Sequence, residues 1–141
     1  MLPHERRWAQ AIMEAFAPVG GEGLAPKSGE VDYVGWLETV IANATPLAAV
    51  GVRGALYAIN GAPLVLERRR VQFSSLPLEE RTRMLDSILS SEDFALRELA
   101  LLLKIQASAA LFASSAVRAR SNYDRDRGAP YSLPVLGSKV S

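Results

Sequence analysis

Residues 94–113 read FALRELALLLKIQASAALFA and carry the longest helical pattern in the chain. Leucine and alanine recur there at the spacing of one helix face, at Leu96, Leu99, Leu103, Ala107, Ala110 and Leu111. Further apolar residues widen that face, namely Leu101, Leu102, Ile105 and Phe112. A helix that is apolar all round is a buried one, so the pattern predicts a central helix. Ser90 or Ser91 is its expected N-cap, with Glu92 and Asp93 in the first turn.

The same segment does not have the composition of a membrane span. It contains Arg97, Glu98 and Lys104, and each charge at the centre of a bilayer costs about 2.5–3.5 kcal/mol. We therefore expect no transmembrane segment.

The N-terminal segment contains Arg6 and Arg7 ahead of apolar residues, as a twin-arginine export signal does. Gln10 and Glu14 interrupt what would have to be an uncharged stretch. The segment therefore predicts an amphipathic helix, no signal peptide or twin-arginine signal, and a cytoplasmic location.

The size and composition are those of one globular domain, with 141 residues, 49% hydrophobic and 22% charged. Sixteen basic and fifteen acidic residues leave a formal net charge of +1, without the basic field that nucleic-acid binding requires. The absence of cysteine excludes disulfides, thiolate metal sites and cysteine nucleophiles. A mean hydropathy of +0.09 is high for a monomer with this charge content. We therefore expect apolar surface beyond the needs of the chain's own core.

The other helices are predicted from caps and apolar spacing at residues 2–16, 32–44 and 46–60, after Pro77, and near 116–121. Asp32 and Thr45 are the expected N-caps of the second and third helices. Three buried faces are predicted in order: Trp8, Ile12, Met13 and Phe16; Val34, Leu37, Val40 and Ile41; and Leu78, Leu85, Ile88 and Leu89. Gly51 and Gly54 are expected to pack closely against a bulky neighbour such as Trp36. The pattern predicts a single compact bundle of five or six helices with an irregular C-terminal tail.

Residues 62–70 are compatible with a short extended piece or with part of another helix. They end in Glu67-Arg68-Arg69-Arg70, the only dense charge run, with Phe73 as the one aromatic residue nearby. Nucleic-acid grooves interleave basic and aromatic residues more densely. We interpret the run as a solvated helix end or a salt-bridge site for a partner.

Residues with catalytic potential are few. Residues 21–28, GEGLAPKS, approach a phosphate-binding loop, but Pro26 stands where the loop requires glycine. His4 is the only histidine and is interpreted as an exposed residue at a helix start. The acidic pairs at 79–80 and 92–93 fall in predicted first turns, where the helix dipole accounts for them. We therefore assign no catalytic, cofactor-binding or metal-binding residue. A small enzyme or ligand-binding bundle that uses carboxylates is kept as one alternative.

The order of these motifs resembles the gluconate 2-dehydrogenase subunit 3 family. The matching pieces are Glu5-Arg6-Arg7 with the following helix, residues 73–81 (FSSLPLEER), residues 96–99 (LREL), Leu103-Lys104 and Asn122-Tyr123-Asp124. Together they span about residues 2–124. The sequence departs from the family pattern at Asn122, where glycine is expected, and at residues 111–114, LFAS, which replace an aromatic pair.

The resemblance implies a small helical subunit without catalytic residues or a cofactor of its own. Such subunits accompany large flavoproteins, including glucose–methanol–choline (GMC) oxidoreductases, which hold FAD and oxidise an alcohol or sugar. The expected domain is then residues 1–124, followed by a tail at 125–141. The alternative is a stand-alone helical adaptor or homo-oligomeric module with no flavin partner.

The C-terminal segment is the expected contact region for the large subunit. Arginine and tyrosine are enriched in protein–protein contacts, and apolar residues stand among them here. The candidate contact residues are Arg118, Tyr123, Arg125, Arg127, Tyr131, Leu133 and Leu136. Docking of the tail on its own domain and docking on a partner are equally compatible with this composition.

Overall fold

The computed structural model describes residues 1–17, 30–115 and 117. The described residues form six α-helices and no strand: α1 (Pro3–Ala15), α2 (Tyr33–Asn43), α3 (Pro46–Asn60), α4 (Ala62–Glu67), α5 (Leu78–Leu89) and α6 (Phe94–Ala113). A single turn of 3-10 helix, Phe73–Ser75, precedes α5. The predicted all-α bundle is therefore confirmed. The predicted tail at 125–141 and, apart from Val117, the short helix near 116–121 lie outside the described residues.

The core is centred on α1 and α6, each of which packs against α2, α3 and α5 as well as against the other. Its largest fully buried side chains come from every one of these helices and from the 3-10 turn: Ile12, Met13, Leu37, Leu56, Ile59, Phe73, Leu85, Ile88 and Leu103. Burying such a side chain completely stabilises the fold by about 1.5–3 kcal/mol.

The predicted N-caps of α2 and α3 are confirmed. The Asp32 carboxylate accepts a hydrogen bond from the Gly35 N–H at 2.8 Å. The Thr45 hydroxyl accepts one from the Ala48 N–H at 3.2 Å, with Pro46 at the first helical position. These contacts satisfy backbone donors that a helix start leaves without intrahelical partners.

The predicted cap of α6 was wrong. Asp93 is the N-cap, and its carboxylate accepts a hydrogen bond from the Leu96 N–H at 3.1 Å. Ser90 and Ser91 belong to the end of α5, where their N–H groups donate to the carbonyls of Asp86 and Ile88. Glu92 and Asp93 therefore precede α6 instead of occupying its first turn.

Two expectations about packing are corrected, and of the two alternatives for residues 62–70 the structure shows the helix. Residues 62–67 form α4, which ends at Arg68 in the left-handed region with φ 54°. Leu78 is exposed, because it begins α5 before that helix reaches the core, and Met84 is buried in its place. A β-carbon added at Gly51 or Gly54 would meet open space, so neither glycine serves close helix packing.

Candidate partner-binding surface

An exposed apolar row runs along the outer side of α6. Phe94, Leu101, Ile105 and Phe112, here called the α6 stripe, recur at the spacing of one helix face, and Phe94 and Ile105 are 66% and 56% exposed. The opposite side of α6 packs into the core through Ala100, Leu103, Ala107, Ala110 and Leu111. The prediction that α6 is buried all round was therefore wrong, because neighbouring helices cover only one side of it.

Further exposed apolar residues lie in the first turns of α3 and along α4. Leu47 and Val50 are 83% and 67% exposed, on the side of α3 that faces away from the buried Leu56. In α4 the exposed apolar residues are Leu64, Val65 and Leu66. α3 and α6 pack against each other. Each of these two helices therefore has one side in the core and exposed apolar residues on the other side.

Polar and aromatic side chains join α1 to α3 close to α4. His4 Nε2 is 2.9 Å from the Tyr57 hydroxyl, and the Trp8 ring packs edge-on against both rings, with centroids 4.8 and 4.9 Å away. The interpretation of His4 as an exposed residue is corrected, because it is half-buried in this aromatic cluster. Its spacing to Trp8, four residues, places the two rings on one helix face, whereas Tyr57 comes from a distant segment.

The cluster also contains the fully buried Glu5 carboxylate. Burial raises the pKa of Glu5, but the Leu2 N–H, the Arg53 guanidinium and the Tyr57 hydroxyl outweigh it, and the net pKa is lowered. The neighbouring Tyr57 has a raised pKa, from burial and from the Glu5 charge. Glu5 therefore stays ionised and is held in place by its partners. This arrangement joins two helices. Because the carboxylate is buried and bound by these partners, it is not accessible to a substrate.

Two concave features accompany these surfaces. One is a groove of about 460 Å³ that begins at the aromatic cluster and runs between α3 and the segment after α4. The other is an open cleft of about 590 Å³ between α2 and the end of α6, bordered by Asp32, Trp36 and Ser114. The indole N–H of Trp36, at the border of this cleft, donates to Gln106 Oε1 on α6 at 3.1 Å.

The charge run at residues 67–70 is a solvated turn, as one of the two sequence interpretations expected. Arg69 contacts the carboxylates of Glu67 and Glu80 at 3.3 and 3.5 Å. Arg68 and Arg70 have no ion-pair partner among the described residues. The turn therefore carries two uncompensated positive charges beside the apolar residues of α4.

The contact residues predicted in the C-terminal segment, from Arg118 to Leu136, lie outside the described residues. Within residues 1–17, 30–115 and 117, no cluster of His, Asp or Glu is arranged to hold a metal ion. No helix in that part of the chain is long and apolar enough to cross a membrane. The comparisons with family models, curated proteins and solved structures found no match to the chain.

Proposed function

We propose that this chain is a non-catalytic small subunit that binds and stabilises a large FAD-dependent oxidoreductase of the GMC type. The observation that carries the binding role is the α6 stripe, a row of partly exposed apolar side chains on a central helix. The resemblance of residues 2–124 to the gluconate 2-dehydrogenase subunit 3 family supports the choice of partner. In this proposal the large subunit holds FAD and oxidises an alcohol or sugar, and the complex is cytoplasmic.

The energetics favour burial of the α6 stripe against another protein. Its side chains are roughly half exposed, so covering each of them would stabilise a complex by about 1 kcal/mol. Glu98 lies on the same helix face between Phe94 and Leu101, and Lys104 lies at the edge of the row, so both supply charges to this surface. An apolar centre with a polar rim is the usual composition of a specific interface.

The C-terminal segment from Arg118 to Leu136, which includes most of the tail, adds a second contact region in this proposal. Arg118, Tyr123 and Tyr131 are the leading contacts in it, because arginine and tyrosine dominate the energetics of protein interfaces. Ordering such a segment costs entropy, so the tail would contribute only if it buried a substantial area.

Co-expression with a GMC-type flavoprotein encoded beside the chain tests the proposal. The native chain is expected to co-elute with the flavoprotein in size-exclusion chromatography, with flavin absorbance in the same peak. Leu101→Glu and Ile105→Glu place a carboxylate in the centre of the α6 stripe and should abolish co-elution. Ser87→Glu adds the same charge at an exposed position of α5 and should leave the complex intact.

Two results would contradict the proposal. A chain that stays monodisperse and separate from the flavoprotein would show that it is not a subunit of that enzyme. A homo-oligomer broken by the α6 substitutions would assign the stripe to self-association instead. Deleting residues 125–141 tests the tail separately, and unchanged complex formation would exclude it as a contact.

A further inference from the structure

The groove between α1, α3 and the segment after α4 has the composition of a small-ligand site. It is lined by Trp8, Tyr57, Asn60, Gly61, Leu64, Arg70, Val71 and Gln72, and its volume of about 460 Å³ lies in the range of ligand pockets. Aromatic and aliphatic side chains make up one part of this lining, and amide and guanidinium groups another. No carboxylate is among these residues, so a ligand with a negative charge meets no repulsion from the walls.

One wall of the groove is held in place by contacts between aromatic rings. The Trp8 ring is packed edge-on against His4 and Tyr57, and the His4–Tyr57 hydrogen bond joins those two side chains. Aromatic pairs of this geometry contribute about 0.5–1.5 kcal/mol beyond their buried area. The apolar surface that Trp8 presents is therefore fixed before any ligand arrives, which reduces the entropy lost on binding.

A buried amide supplies a directed donor. Asn60 is only 4% exposed, and its Oδ1 accepts a hydrogen bond from the Ser74 N–H at 3.1 Å. That contact fixes the orientation of the amide, so the remaining Nδ2 has a defined position. Nδ2 has no partner among the described residues, and it is not one of the buried polar atoms sealed from solvent. A donor on a largely buried side chain that has no protein partner is matched by a ligand acceptor or by water.

A cation stands at the same groove. Arg70 is exposed and has no carboxylate partner in the described part of the chain, unlike its neighbour Arg69. One guanidinium and one amide donor match a group with a single negative charge and two acceptor oxygens. That description fits a carboxylate, because a phosphate carries up to two charges and is usually held by more than one cation.

We propose that the groove binds a small amphipathic carboxylate, a molecule with one carboxylate and an aliphatic chain. The carboxylate accepts hydrogen bonds from Arg70 and from Asn60 Nδ2. The aliphatic chain lies against Trp8, Leu64 and Val71. This site is independent of the proposed flavoprotein partner, because every residue in it belongs to the isolated chain.

Nuclear magnetic resonance on the full chain tests the site with octanoate as the probe. The chain has two tryptophans, and only Trp8 lines the groove, so the Trp36 indole N–H resonance is an internal control. Trp36→Phe assigns the two signals. Octanoate is expected to shift the Trp8 signal saturably and to leave Trp36 in place. Octan-1-ol should bind at least about tenfold more weakly, because it lacks the charge, and octylamine should not bind.

Substitutions at two neighbouring arginines separate a built site from a general charge effect. Arg70→Gln should weaken octanoate binding about tenfold, the loss expected for one charge-assisted hydrogen bond. Arg68→Gln removes the same charge two residues away, outside the groove, and should leave the affinity unchanged. Asn60→Asp keeps an oxygen for the Ser74 N–H but replaces the Nδ2 donor by an acceptor, and should also weaken binding.

Several results would overturn the proposal. They are a Trp8 signal that never saturates, an equal shift of Trp36, equal affinities for octanoate and octan-1-ol, and equal losses in Arg68→Gln and Arg70→Gln. Native-like binding by Asn60→Asp would remove Asn60 from the site. If that variant does not fold, the two exposed arginine variants still decide whether the groove recognises the carboxylate.

Discussion

Arg53 on α3 holds the buried carboxylate of Glu5 on α1, with Nε and Nη2 donating to Oε1 at 3.0 and 2.9 Å. The other oxygen of Glu5 accepts a hydrogen bond from the Leu2 N–H at 2.8 Å. One side chain therefore closes the first turn of α1 and joins that helix to α3. Since α1 contacts most of the other helices, this ion pair stabilises the centre of the bundle.

The pH dependence of stability follows from the lowered pKa of Glu5, whose ordinary value is 4.5. A carboxyl with a depressed pKa in the folded state contributes fully above its unfolded pKa, and the contribution disappears as pH falls through the folded pKa. The free energy of unfolding should therefore fall below about pH 4.5. In Glu5→Gln this fall should be smaller. Urea denaturation at neutral and acidic pH measures it, and identical pH profiles for the two proteins would contradict the assignment.

Removal of the cation tests the same pair from the other side. Arg53→Met keeps an unbranched apolar side chain but leaves the Glu5 carboxylate buried without a cation. We expect a loss of about 1.5–3 kcal/mol at neutral pH, the range for hydrogen bonds to charged groups. Arg7→Met is the control, because Arg7 is exposed and unpaired among the described residues, and its effect should stay within about 0.5 kcal/mol. Equal losses in the two variants would show that only net charge matters.

The two glycines inside α3 should be sites of stabilisation. An added β-carbon at Gly51 or Gly54 meets no atom within 4 Å, so alanine gains helix propensity without a clash. Each substitution should raise the free energy of unfolding by about 1 kcal/mol. Gly35→Ala should do the opposite, because its β-carbon would collide with the Asp32 carboxylate that caps α2. Urea denaturation of the three variants checks both directions, and a loss at Gly51 or Gly54 would contradict the open-space geometry.

The local parts of the fold were predictable from the sequence. The caps at Asp32 and Thr45 are hydrogen bonds to backbone three residues away, so neighbouring residues alone determine them. The burial of α6 was not predictable in this way. Its sequence is apolar on almost every side, and which side is covered depends on how α1, α2, α3 and α5 pack against it.

The candidate groove was not predictable from the sequence. Trp8, Asn60 and Arg70 come from three separate segments, and only the packing of the bundle brings them together. Arg70 is one of three consecutive arginines, and their order does not indicate that Arg69 is the one that forms ion pairs with Glu67 and Glu80. The only local signal was the unusual density of charge beside the apolar residues 64–66.

The N-cap of α6 can be tested by substitution, because the sequence predicted Ser90 or Ser91 and the structure shows Asp93. Asp93→Ala removes the acceptor for the Leu96 N–H and should cost about 1 kcal/mol, whereas Asp93→Asn keeps an acceptor and should cost little. Ser90→Ala should change stability by less than about 0.5 kcal/mol, since only the backbone N–H of Ser90 is used. Thermal or urea unfolding provides the comparison. A larger loss of stability in Ser90→Ala than in Asp93→Ala would indicate that Ser90, and not Asp93, caps α6.

Tyr33 should limit stability in alkaline solution. Burial and the nearby Glu14 charge raise its pKa to about 12, and its hydroxyl has no hydrogen-bond partner among the described residues. A raised pKa in the folded state means that stability is complete below the unfolded value of 10 and falls as pH rises toward 12. Tyr33→Phe keeps the ring and removes the ionisable group, so it should be at least as stable as the native chain at neutral pH and should lose less stability in alkali. Urea denaturation on both sides of pH 10 gives this difference, and tyrosinate absorbance follows the titration directly. An equal alkaline loss in the two proteins would show that Tyr33 ionises in the folded state as freely as an exposed tyrosine.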